Sequence, residues 1–125
     1  MNSVIHFEVP FDDESRATKF YGDIFGWQLQ SIPEMNYVMA STTESDDKGL
    51  PKNPGAINGG MTKRGGMVNA VNIVIGVDDI DGTLEKIKTK GGSVVQAKMP
   101  VGDMGFAAYF KDTEGNVLGI WQNPS

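Results

Sequence analysis

Apolar and polar positions alternate over residues 4–9, with Ile5, Phe7 and Val9 on one side and His6 and Glu8 on the other. That period of two predicts a β-strand, which Pro10 bounds. Asp12 and Asp13 then supply an N-cap and first-turn acid, and Ala17, Phe20, Tyr21, Ile24 and Phe25 recur at helical spacing. The spacing predicts a helix with one apolar stripe, ended by Gly26 in the left-handed conformation. Residues 27–31 and 37–41 read as short strands around a turn at Pro33, and residues 56–61 as a strand weakened by Gly59 and Gly60. Residues 42–55 form a polar stretch of the length expected of a lid or mobile segment.

The same order then recurs. Residues 71–77 are a strand run rich in β-branched side chains, and Asp78 and Asp79 are placed to cap a helix whose buried face is Ile80, Leu84 and Ile87. Gly91 and Gly92 end it, and residues 93–97, 106–111 and 117–122 read as strands. A displacement of 66 residues sets His6 on Asn72, Asp12 and Asp13 on Asp78 and Asp79, and Gly26 on Gly92. A βαβββ unit used twice explains matches that fall at structural punctuation. Two unrelated α+β halves would share only common capping residues. The expected fold class is α+β: two βαβββ modules forming a curved mixed sheet that encloses a cleft. The chain is expected to be one domain, residues 1–125, with module one over residues 1–62 and module two over residues 68–125.

Composition narrows the partners. A chain of 125 residues has room for one domain with its own core. It has no cysteine, which removes disulfides, thiolate metal sites and a cysteine nucleophile. Eleven basic against sixteen acidic residues give a net charge of −5 with no dense basic block, so nucleic acid is not expected as a partner. The longest nearly apolar stretch, residues 68–77, contains Asn69, Asn72 and Gly76 and is too short to span a bilayer, so no membrane is expected either. A strand pattern beginning at Val4 leaves no room for a signal peptide, and a cytoplasmic location is expected. The Gly-Gly-Met echo in residues 59–67 leads into no strand-to-helix passage, so it reads as a connector and not a phosphate loop.

Period-two patterning also sorts the candidate chemistry. In the second module Ile75 and Val77, with Val71 and Ile73, are expected to face the helix, leaving Asn72 and Val74 opposite. In the last strand Leu118 and Ile120 face the helix, and Gly119 and Trp121 lie opposite. The mixed faces therefore carry His6, Glu8, Asn72 and Trp121, a few polar groups among aromatics, as small-molecule sites are built. Glu8 reads as a partly exposed strand carboxylate, or as a general base or anchor for a cationic ligand. His6 reads as a neutral imidazole lining the cleft, or as a metal ligand. Trp121 offers a stacking surface or an interface contact, and Tyr109, with Tyr37 and Phe106, is a weaker instance of the same choice.

The run His6-Phe7-Glu8-Val9-Pro10, then Asp12-Asp13, residues 16–21 and Phe25-Gly26-Trp27, resembles the opening of vicinal-oxygen-chelate proteins. This is the glyoxalase, bleomycin-resistance and dioxygenase superfamily. Residues 112–122 resemble its closing strand, so the resemblance spans the chain and implies that fold. In metal-dependent members a divalent ion takes one residue from each module's first strand and one from each last strand. Matched by position, the resemblance sets His6 at the first ligand, Asn72 at the second and Asn58 near a third. Gly119 stands where a Glu is expected. One imidazole with neutral amides suits zinc, nickel or iron poorly. The resemblance thus implies no cofactor, with a divalent metal as the alternative. It also implies a homodimer, because small curved sheets leave edges that need cover.

These readings converge on a superfamily protein that binds a small organic molecule in its cleft without a full metal site. His6, Glu8, Asn72, Tyr109 and Trp121 would be the binding residues, with Glu8 as the catalytic candidate. The alternatives are a metal-dependent lyase of the lactoylglutathione lyase type, a dioxygenase, or an interaction module with a vestigial cleft.

Overall fold

The computed structural model describes residues 1–125. Strand β1 (Val4–Phe11) leads into helix α1 (Glu14–Phe25), and strands β2 (Gln28–Ile32), β3 (Tyr37–Ser41) and β4 (Gly59–Lys63) follow. The order repeats as β5 (Asn72–Gly76), α2 (Ile80–Thr89), β6 (Ser93–Val101), β7 (Gly105–Lys111) and β8 (Val117–Gln122). The fold is α+β, built of two βαβββ modules. The backbone gathers into two compact units, His6–Val71 and Met1–Ile5 with Asn72–Ser125. The start of β1 goes with the second of these: the Gly76 N–H donates to the Ser3 carbonyl at 2.9 Å.

In the His6–Val71 unit the strand order is β2-β3-β4-β1, with β1 and β4 parallel and the other pairs antiparallel. Val9 and Val38 both register on Met61, which puts all three on one face. Phe11, Val38 and Met61 form the buried core there, with Val9, Ala17, Tyr21 and Leu29 against it. The Asp13 carboxylate caps α1 by accepting from the Arg16 N–H, and Gly26 closes it at φ 72°. Asp12 instead pairs with Arg64 at 3.1 Å.

Two expectations fail here. The strand continues through Pro10 to Phe11. The Phe11 carbonyl accepts from the Arg64 N–H, so the backbone groups of Phe11 face β4 and the N–H that Pro10 lacks would point away from it. The apolar stripe of α1 is also not buried as a whole. Ala17 and Tyr21 reach the core, whereas Phe20, Ile24 and Phe25 are 52%, 57% and 59% exposed. Trp27 is the reason: it stacks on Tyr21 at 4.8 Å and packs on Phe7 at 5.4 Å, taking up the helix–sheet space.

In the second unit the order is β5-β8-β7-β6, with only β5 and β8 parallel. Val77, Ile80, Leu84, Ala108, Phe110 and Ile120 are the core, with Ile75, Ile87 and Leu118 packed on it, so the faces of α2 and β8 are as expected. Val71 and Ile73 are exposed, because α2 follows β5 directly and covers only its far end. The cap of α2 also differs from expectation. Asp79 occupies the N-cap, but its carboxylate makes no capping bond and lies over Gly82. The Gln122 amide oxygen accepts from the Ile80 N–H at 2.8 Å instead. β6 runs past residue 97 to Val101, with register shifts around Gln96. No helix is long and apolar enough to cross a membrane.

Candidate functional site

On β1 the side chains of His6 and Glu8 point to the face opposite the Met61 core, following the period of two. Glu8 registers on Gly60 of β4, and Gly60 registers on Met39 of β3. Tyr37, two residues before Met39, shares that face, and its ring lies directly over Gly60. Its hydroxyl stands 2.9 Å from Nε2 of His6. If His6 carries its proton on Nδ1, the phenol donates to Nε2; if on Nε2, the imidazole donates to the phenol oxygen.

The electrostatics follow from burial. Glu8 is 5% exposed, which corrects its reading as a partly exposed strand carboxylate: β4 flanks it and Tyr37 overhangs the neighbouring position. Burial, and secondarily the Glu8 charge, push the Tyr37 phenol far above its ordinary range, so it keeps its proton. Burial holds the His6 imidazole below its ordinary value, so it is neutral at neutral pH. A neutral imidazole, a protonated phenol and a buried carboxylate can donate to and accept from a polar ligand, and can hold or move a proton.

Asn58 is not part of this group. Its side-chain oxygen accepts from the Thr42 and Thr43 N–H groups, and its NH2 donates to Ser45. It therefore ties down the start of the segment expected to be a lid. That segment is further closed by Asp46, which accepts from the Lys48 and Leu50 N–H groups.

In the second unit Asn72, Val74, Gly119 and Tyr109 share one face. Asn72 and Tyr109 are both buried. A side chain at Gly119 would meet Val74 at 3.1 Å and Tyr109 at 3.3 Å. Each unit thus lays a tyrosine ring against a glycine of its last strand. Trp121 packs over Gly105, and its indole N–H donates to Asn123 at 2.9 Å. The sequence offers Tyr37 only as a weaker candidate for stacking or an interface, not as a partner of His6. The signal available was Gly60, a strand residue without a side chain, which marks close approach by a neighbour.

A family model described as "Bleomycin resistance protein-like N-terminal" matches residues 3–43. "Probable lactoylglutathione lyase" of Vibrio parahaemolyticus is 30% identical over 124 residues, covering 96% of this chain and 90% of that protein. The chain belongs to the vicinal oxygen chelate superfamily. "Putative glyoxylase CFP32" of Mycobacterium bovis is 33% identical over 115 residues, covering 88% of this chain. This chain spans 41% of that protein's length. The methylmalonyl-CoA epimerase of Streptomyces coelicolor has the same fold, with a TM-score of 0.64 at 17% identity, covering 98% of this chain and 97% of that one.

A superfamily fold raises the question of a divalent metal, and the donors here do not fit one. The Nε2 of His6 already meets the Tyr37 hydroxyl. Asn58 is engaged in its loop, Asn72 offers a neutral amide, and Gly119 has no side chain to donate. No three His, Cys, Asp or Glu side chains converge anywhere in the chain.

Proposed function

We propose that this superfamily member binds a small organic molecule at the His6–Glu8–Tyr37 face and needs no divalent metal to do so. The observation that carries the reading is the His6–Tyr37 pair at 2.9 Å beside a buried carboxylate. A site of this kind recognises a ligand through directed hydrogen bonds, with Glu8 accepting from a hydroxyl or ammonium group. On the second unit Asn72, Tyr109 and Trp121 are proposed as ligand-binding residues of that unit's own face. Glu8 is the proposed proton acceptor if the bound molecule reacts.

Calorimetry on protein dialysed against EDTA tests this, with S-lactoylglutathione and a fragment panel of phenols and aromatic amines as probes. At least one probe is expected to bind without metal. Glu8→Gln should weaken it about tenfold, which is about 1.4 kcal/mol. Binding that appears only after zinc, nickel or manganese is added would overturn the reading.

The second reading is a lyase, favoured by the Vibrio relative that matches nearly end to end. Steady turnover of S-lactoylglutathione that depends on added metal would establish it. The proposal also takes the protein as a cytoplasmic homodimer, without nucleic-acid or membrane partners. The acidic charge supports the partner list, and β2 and β6, each ending its unit's strand order, support dimerisation. Light scattering at micromolar concentration should give twice 13.5 kDa.

A further inference from the structure

We propose that Tyr37 excludes divalent metal from His6, keeping this face a neutral hydrogen-bonding site. The inference rests on the metal-independent reading above and names the residue responsible for it. His6 and Glu8 share a face of β1 at alternate positions, an imidazole and a carboxylate of the types that hold zinc or nickel. Besides the lack of a third such ligand, what separates them from that use is the phenol. Its hydroxyl takes up Nε2, one of the two ring nitrogens through which an imidazole coordinates.

The phenol is held there by construction. The ring has no room to move down toward β4 because it already lies on the bare backbone of Gly60. Tyr37 sits at the start of β3, where it registers on Ile32 and Thr62, so its backbone is fixed from both sides. A metal approaching His6 would have to break a part-buried hydrogen bond and leave the phenol without that partner.

The chain has one histidine, so its ring proton resonances are assigned without ambiguity. The experiment titrates cobalt(II) chloride into EDTA-dialysed full-length protein and follows paramagnetic broadening of the His6 ring protons. In the wild type the His6 signals should stay sharp to millimolar cobalt. Tyr37→Phe keeps the ring on Gly60 but removes the hydroxyl. It should broaden the signals at cobalt concentrations at least tenfold lower, and adding Glu8→Gln to that variant should reverse the gain. Gly60→Ala, which pushes the ring away with its hydroxyl intact, should give the same gain and serves if Tyr37→Phe unfolds. Signals that stay sharp in folded Tyr37→Phe and Gly60→Ala would overturn the inference, while metal-free ligand binding, measured separately by calorimetry, would stand. Stoichiometric broadening of the wild type would overturn it as well, and calorimetry in EDTA would then show whether the ligand reading falls too.

Discussion

A methyl group placed on Gly60 would fall within the hydroxyl and ring of Tyr37. The glycine on β4 is therefore what lets a tyrosine on β3 reach across that strand to a histidine on β1. Gly60→Ala should force the ring aside and destabilise the fold by about 1–3 kcal/mol, the usual range for overpacking. Most of that cost should vanish on a Tyr37→Ala background, because the clash needs both partners. Urea midpoints of the four proteins in this cycle measure it. Equal costs on the two backgrounds would show that Gly60 is needed for another reason.

Tyr37 should also be visible as a phenol that resists base. The chain has three tyrosines, and Tyr37 is pushed above its ordinary range by burial and then by Glu8. Alkaline titration followed by ultraviolet absorbance should show a late phase that is absent in Tyr37→Phe. If the variant instead loses amplitude near the ordinary phenol range, the hydroxyl is open to water.

The burial of His6 fixes the sign of a pH effect. Its value in the folded protein lies below the ordinary 6.5. Above the ordinary value the imidazole is neutral in both folded and unfolded chains, and this group does not disfavour folding. As the pH falls below it the unfolded chain binds the proton first, so stability drops until the folded value is reached. The wild type should lose more stability between pH 7.5 and about 5.5 than His6→Asn does. Parallel urea curves for the two proteins at both pH values give the difference, and identical losses would contradict the burial of this ring.

Much of the architecture was legible because it rests on local pattern. The bounds of β3 and β8 match the sequence reading, and Leu118 and Ile120 face α2 as the period of two required. The candidate site was legible only in part. The alternation in residues 5–9 placed His6 and Glu8 on one face, but nothing local to Tyr37 says that it meets His6. That contact depends on the β3–β4 and β4–β1 registers, which join residues 31 apart in sequence. By strand propensity Gly60 weakens β4, although the missing side chain is what makes room for the ring. Helix capping failed for the same reason: Gln122, far along the chain, takes the bond that Asp79 was expected to make.

That substitution of caps gives a test of its own. The Val77 N–H donates to the Trp121 carbonyl at 2.8 Å, which carries the end of β8 alongside the start of α2 and sets Gln122 at the helix N-terminus. Gln122→Ala should cost about 1 kcal/mol, the usual loss of an N-cap bond. Asp79→Ala should cost less in capping, since its carboxylate makes none of these bonds. The reverse order in thermal or urea denaturation would restore Asp79 as the cap.

The two helices differ most sharply in what they bury, although the sequence gives each an apolar stripe. Ile80 and Leu84 of α2 are 0% and 6% exposed, whereas Ile24 of α1 is 57% exposed. Truncating Leu84 to Ala removes packed methyl groups and leaves a cavity, for a loss of about 2–5 kcal/mol. Truncating Ile24 to Ala removes groups already in water, and the change should stay within about 0.5 kcal/mol. Tyr21 provides the internal control. It shares α1 with Ile24 but stacks on Trp27 and packs on the Met61 core, so Tyr21→Ala should behave like the α2 truncation. Urea midpoints at fixed protein concentration decide the matter. A loss at Ile24 comparable to that at Leu84 would mean that the outer face of α1 is covered in solution, and its dependence on protein concentration would show whether a second copy covers it.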